Sequence, residues 1–378
     1  MTTAEIRLPG LSSPLLVGSP RWAVSYPPPR SRRVYAAAHV AVTSAVPDWE
    51  STLRFRDYLW SHGFGVAEAM DTAQRGMGLS WPQARELISR SAARAAERRK
   101  AGRYASLACG AGTDQLAPSD LHSIGEIIGA YAEQLDFVQS HRADVILMAS
   151  RALAASARGP RDYLEVYGTL LKQADRPVIL HWLGEAFDPA LRGYWGSTDF
   201  GVAARTVLEL IDQAGDKIDG VKLSVLDASH EVALRPRLPA GVRLYTGDDF
   251  NYADLIRGDQ SGHSDALLGT FAAIAGPAAA ALHALDAGDM AGYDAAIEPT
   301  VPLSRLIFTE PTPCYKVGVA FLAWLNGLQP RFEMLDGLER RRPVEHLLRV
   351  VKLAAEAGAL TDPALAADRV AELLATRT

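Results

Sequence analysis

The run Pro177-Val178-Ile179-Leu180-His181-Trp182, followed by Gly220-Val221-Lys222-Leu223-Ser224 and then by Val242-Arg243-Leu244-Tyr245-Thr246-Gly247-Asp248-Asp249, decides the fold. Each piece is a short apolar stretch that ends on polar side chains, as strands buried on both faces do. Between the first two lies Phe200–Ala214, where apolar residues recur at three and four residue intervals in the manner of an amphipathic helix. Strand, helix and strand in that order predict parallel pairing.

Working outward, the same alternation continues in both directions. Upstream, strands are predicted at Val34–Thr43, Gly65–Met70, Tyr104–Cys109 and Val145–Met148, and downstream at Ala266–Phe271. With Val178–His181, Gly220–Leu223 and Val242–Thr246 they make eight. Helical patterns fall between them at Leu53–His62, Pro82–Arg98, Ser123–Ser140, Asp162–Gln173 and Pro277–Ala287. Eight such units in about 250 residues predict a closed (β/α)8 barrel over residues 34–288. An open doubly wound sheet would have a glycine-rich first turn, and none follows Val34–Thr43. Residues 1–33, ending in Pro27-Pro28-Pro29-Arg30-Ser31-Arg32-Arg33, read as an extended N-terminal arm lying over the domain or across a subunit boundary. Residues 289–378 read as a C-terminal helical region, with helices at Val317–Leu325, Val344–Ala357 and Pro363–Ala375.

Composition narrows the function classes. Among 378 residues, 48% hydrophobic and 22% charged, 39 basic side chains face 44 acidic ones without a long run of one sign, which argues against a nucleic-acid footprint. No segment has the length and apolarity of a membrane span, and the N-terminus lacks a secretory leader pattern. Cys109 and Cys314 lie far apart, without metal-ligand spacing, and read as buried small hydrophobes in a reducing, cytoplasmic setting. A small-molecule substrate is the expectation.

Chemistry in such a barrel comes from the C-terminal ends of strands and the loops after them. Lys222 stands within the sixth strand between apolar neighbours, where desolvation disfavours the ammonium and leaves free amine to attack a carbonyl carbon. A structural lysine paired with Asp249 is the alternative. His181 ends the preceding strand and can move protons near neutral pH. Three further loops end on the same rim: Asp71-Thr72-Ala73-Gln74, Gly110-Ala111-Gly112-Thr113-Asp114 and Thr246-Gly247-Asp248-Asp249. Trp182, Tyr194 and Trp195 are candidates for stacking on a substrate ring, or else part of the core.

These segments resemble the dihydrodipicolinate synthase and N-acetylneuraminate lyase superfamily over about residues 34–350, as a divergent branch. The resemblance runs from Pro177–Leu180 through Gly220-Val221-Lys222 to Gly247-Asp248-Asp249, with Gly262-His263-Ser264-Asp265, Ala275-Gly276-Pro277 and Pro313-Cys314-Tyr315-Lys316 downstream. It implies a class I aldolase barrel in which Lys222 forms the Schiff base, with no dissociable cofactor, no metal, and assembly as a homo-oligomer, dimer or tetramer. His181 stands where the family has a proton-relaying tyrosine. Asp71-Thr72-Ala73-Gln74-Arg75 stands where it has the neutral Gly-Thr-Thr-Gly-Glu loop, and Arg151 follows strand four as a candidate anion partner.

The resulting expectation is a carbon–carbon lyase acting on a 2-oxo acid or keto-sugar-derived substrate. Lys222 and His181 are its catalytic residues, and Asp71, Thr72, Asp114, Arg151, Gly247 and Asp248 are its substrate-binding residues. Lysine biosynthesis and sialic acid cleavage are not carried over, because the residues that fix those substrates differ. Two other readings compete. One is a metal-dependent sugar isomerase or epimerase using His181, Asp248, Asp249, Glu185 and His230, and the other is a non-catalytic metabolite-binding barrel.

Overall fold

The computed structural model describes residues 4–9, 12–18, 21–117 and 120–377; positions 1–3, 10–11 and 19–20 of the expected arm lie outside the described residues. Eight strands form the barrel: β1 Val34–Ala37, β2 Gly65–Glu68, β3 Leu107–Ala111, β4 Asp144–Leu147, β5 Val178–Leu183, β6 Ile218–Ser224, β7 Arg243–Thr246 and β8 Asp265–Leu268. They follow one another around the sheet in chain order, and the sheet closes on itself. β5 is buried at every position, as a strand covered on both faces must be.

All eight expected strands are found, and three differ by three residues or more at one end. The first stops at Ala37, because Ser44 and Ala45, at φ 53° and 63°, turn the chain into a small antiparallel hairpin of Val42–Thr43 with Val46–Pro47. The third lies at Leu107–Ala111, where it pairs with β4 from Ala108 to Ala111. The last ends at Leu268, and Thr270–Ala273 is already helical.

The intervening helices begin where side chains satisfy their free N–H groups. Ser123 and Glu126 form a reciprocal capping box ahead of Ile124–Ser140, with Ser123 N donating to Glu126 at 2.8 Å and Glu126 N donating to Ser123 Oγ at 3.2 Å. Asp199 accepts from Val202 N at 2.8 Å and starts Phe200–Ala214, whose buried residues Ala203, Val207, Leu210 and Ile211 form one stripe.

The chain divides into two compact units, one comprising Met1–Val66, Thr72–Gln74 and Gly269–Thr378, the other Ala67–Asp71 and Arg75–Leu268. In the first unit, Ala4–Ile6 pairs antiparallel with Leu15–Val17, so the arm opens with a hairpin rather than a fully extended chain. It then runs along its own unit. Trp22 Nε1 donates to Gly358 O at 3.0 Å, Tyr26 N to Ser61 O at 2.9 Å, and the backbone of Arg30 and Ser31 to the Asp286 carboxylate at 2.8 Å each. The helices of the expected C-terminal region are Tyr315–Leu325, Val344–Glu356 and Pro363–Arg377, joined by Met290–Ile297 and Val301–Ile307, which the sequence reading did not separate.

Gly63 is fixed by two constraints. Its φ of +77° favours glycine, and a Cβ there would stand 2.3 Å from Pro27 O and 2.9 Å from Pro28 Cα. In the second unit, Glu231 of helix Ala228–Leu234 is buried beside Thr246 and Ser264, and its Oε1 takes no hydrogen bond. Burial pushes its carboxyl up to about 7. No helix among the described residues is long and apolar enough to cross a membrane.

Two stability experiments follow from these buried features. Gly63→Ala should destabilise the protein by about 2 kcal/mol or more in denaturant unfolding, since both the backbone conformation and the seat of Pro27 are lost. Glu231 binds its proton more tightly folded than unfolded, so its contribution to stability should fall as pH rises from 4.5 to about 7, by on the order of 3 kcal/mol in all. Glu231→Gln should flatten that slope; an unchanged slope would show that Glu231 does not carry it.

Candidate active site

The parallel register of β5 and β6 sets His181 directly opposite Lys222. In register, the two side chains leave the sheet on the same face. Both are buried, His181 at 1% and Lys222 at 8% exposure. Among the described residues the Lys222 amine has no hydrogen bond and no ion pair within 4 Å; the charges that act on it are Asp71 and Asp249. Burial lowers its pKa below the ordinary lysine value, and the two carboxylates offset part of that effect. The alternative of a lysine locked by Asp249 is therefore not what is found.

His181 is held neutral well below its usual range, by burial first and by the Lys222 charge second. Its Nε2 lies 3.3 Å from Ser224 Oγ. Ser224 had no role in the sequence reading, although its spacing of two residues from Lys222 puts it on the same face of β6. Gly247 leaves the chain close against this group. A Cβ there would meet Ser224 Oγ at 2.1 Å, Leu223 O at 2.9 Å and Lys222 Cε at 2.9 Å.

Of the expected binding residues, Asp71, Asp114 and Arg151 line one cavity of about 220 Å³ together with His181, and Lys222 is set back from it beside His181 and Asp71. Thr113 and Ser150 add hydroxyls to the wall, 2.6 Å apart. Asp114 faces the cavity with its carboxylate already engaged. Arg75 Nε donates to it at 3.0 Å, Gln134 Nε2 at 2.8 Å, and Arg75 Nη2 also pairs with it. Burial would raise the Asp114 pKa, but the Arg75 charge and these hydrogen bonds more than offset it and hold the carboxyl below the usual range.

Arg75 was read only as the end of the Asp71 loop. All five of its N–H donors are in fact used, the others reaching Ala69 O, Gly110 O and Gln134 Oε1 at 3.1, 3.3 and 2.7 Å. A basic residue close to an acid-bearing glycine loop was the signal available for it. Arg151 differs. Its Nε donates to Asp188 at 2.5 Å, and its two terminal amino groups take no partner among the described residues.

Thr72 and Asp248 are not brought to the cavity, and Gly247 packs behind it against Lys222 and Ser224. The Thr72 hydroxyl is 2.7 Å from the Tyr315 hydroxyl in a buried pair. Asp248 caps its own loop, accepting from Phe250 N at 2.8 Å, Asn251 N at 3.0 Å and Asn251 Nδ2 at 2.8 Å. The metal reading also fails to converge. His230 pairs with Asp227 and stacks on Phe200, Glu185 pairs with Arg192, and no group of three or more His, Cys, Asp or Glu among the described residues is arranged to hold an ion. Trp195 and Tyr194 are core residues packed with Tyr163 and Tyr167, and Trp182 stacks on Phe200. Cys109 and Cys314 are buried, and neither forms a disulfide among the described residues.

Solved structures share this architecture. YagE, a prophage protein of the dihydrodipicolinic acid synthase family from E. coli K12 solved in complex with pyruvate, aligns at a TM-score of 0.68 and 14% identity, over 86% of this chain and 99% of that one. Dihydrodipicolinate synthase from Aquifex aeolicus aligns at 0.66 and 14%, over 87% and 99%. The chloride-inhibited enzyme from Acinetobacter baumannii, complexed with pyruvate, aligns at 0.64 and 16%, over 87% and 99%. At these identities the likeness is one of fold. No curated protein matches the sequence. A family model described as "Protein of unknown function (DUF993)" matches residues 9–378, and the chain belongs to that family.

Proposed function

We propose that this protein is a Schiff-base-forming class I aldolase or lyase acting on a small carbonyl compound, a 2-oxo acid or a keto-sugar derivative. The observation that carries the reading is Lys222: a buried amine with no hydrogen-bond partner among the described residues and a depressed pKa, set opposite a neutral imidazole. Each unit of depression leaves about tenfold more free amine at neutral pH.

The Lys222 amine attacks the carbonyl carbon, and the carbinolamine takes up a proton, given back on hydrolysis, and loses water to give a protonated imine. In the cleavage direction, neutral His181 takes the proton from the hydroxyl on the carbon beyond the one next to the imine. The carbon–carbon bond between those two carbons breaks, its electron pair entering the imine to form an enamine, and an aldehyde leaves. The His181 imidazolium then returns its proton to the enamine carbon, and water hydrolyses the imine to release the ketone and free Lys222. Atoms and charge balance without an oxidant or reductant. The cationic imine stabilises the carbanion-like transition state more than the ground state, which is what raises the rate. The same reading takes the protein to be a cytoplasmic homo-oligomer.

Borohydride added with a carbonyl substrate should leave a stable mass increase on the wild type and none on Lys222→Arg. The rate of trapping should rise with pH through a midpoint below 10.5, the ordinary lysine value; a midpoint at or above it would sink the buried-amine argument. Gly247→Ala, which drives a methyl into Lys222 Cε and Ser224, should slow trapping on the order of a hundredfold, because small misplacements of reacting groups are costly.

A further inference from the structure

The charges around the cavity narrow the substrate class. Near Lys222 stand two acids, Asp71 and Asp249, against its single positive charge. Asp71 lines the cavity, and no hydrogen bond or ion pair holds its carboxylate among the described residues. A 2-oxo acid would carry its own carboxylate directly on the imine carbon, adding a third negative charge close to Asp71 and Asp249. Like charges at such distances, with an effective dielectric well below that of water, weaken binding by on the order of a hundredfold. With a hydroxyl-bearing carbon in the place of that carboxylate, the hydroxyl would instead donate to Asp71.

Among the described residues that line the cavity, Arg151 is the cation with donors to spare. Arg75 is saturated, each of its N–H groups being spent on Asp114, Gln134 or the carbonyls of Ala69 and Gly110. Arg151 spends only Nε, on Asp188, and its Nη1 lies against Gly76, another lining residue. Its planar fork suits a carboxylate or a phosphate. Thr113 and Ser150 present hydroxyls on the same wall. At about 220 Å³ the space falls below the roughly 300–1,000 Å³ of drug-sized sites, so the substrate is small.

We infer that the substrate is a small hydroxyketone, with a hydroxyl next to the carbonyl read by Asp71 and an anionic group at its far end read by Arg151, and that simple 2-oxo acids are excluded. The inference rests on the imine reading of Lys222.

The test is borohydride trapping, read as intact mass, with dihydroxyacetone, dihydroxyacetone phosphate, 5-ketogluconate, pyruvate and 2-oxobutyrate in turn. Wild type should trap the two anionic hydroxyketones at least tenfold faster than pyruvate, and the phosphate and the sugar acid distinguish the two forms of the far anion. Asp71→Asn should raise the pyruvate rate by tenfold or more while retaining adducts with the hydroxyketones. Arg151→Gln should erase the advantage of dihydroxyacetone phosphate over dihydroxyacetone. Wild type that traps pyruvate as fast as the hydroxyketones, with the adduct absent in Lys222→Arg, would overturn the substrate class and leave the imine intact. An Asp71→Asn variant with unaltered preference would overturn the role of Asp71. No adduct with any of the five would remove the imine reading and this inference together.

Discussion

The register between β5 and β6 is the constraint on which the site depends. It sets an imidazole opposite a primary amine, both buried, so that burial disfavours the charge of each and the Lys222 charge further disfavours that of His181. A slip of one residue would turn one of the two away, because strand side chains alternate between faces. Gly247 belongs to the same constraint. β7 carries the chain so near β6 that nothing larger than hydrogen fits between Lys222 and the turn, and the amine's stem is held from that side.

Around this pair the polar residues divide into those that hold the rim and those left for a ligand. Arg75, Asp114 and Gln134 satisfy one another and stiffen the loop after β3 against the loop after β2. Asp248 does the same for the loop after β7. Among the described residues, the Asp71 carboxylate and the terminal amino groups of Arg151 take no hydrogen bond. Burying a charge is expensive, and Lys222, buried without a hydrogen bond among the described residues, is the group on which our proposal for this site rests.

Much of the barrel could be read from periodicity alone, since strands covered on both faces leave continuous apolar runs and the helices between them leave stripes. The boundaries were less legible. Val34–Thr43 looks like one apolar strand, but the positive φ at Ser44 and Ala45 that ends it depends on backbone geometry that neither residue type announces. Among the site residues, Lys222 and His181 could be read from their strand positions, because an ionisable side chain in an apolar run carries its own signal. Thr72, Asp114 and Asp248 looked identical in kind to Asp71, and only their partners distinguish them: Tyr315 is 243 residues away from Thr72, and Arg75 is 39 from Asp114. Such pairings are properties of the folded chain, not of local spacing.

The N-terminal arm has a consequence for how this chain can change over generations. Pro27 and Pro28 lie where a Gly63 side chain would be, and the Trp22 ring crowds Gly276 and Gly358, with a Cβ at those positions meeting its atoms at 3.2 and 3.0 Å. Arm and glycines thus form a single inherited unit. A lineage that shortened the arm would free Gly276 to drift towards alanine or serine, whereas Gly63 and Gly358, at φ +77° and +67°, would stay glycine for their backbone alone; once Gly276 had drifted, a returning Trp22 would have to give way to the new Cβ.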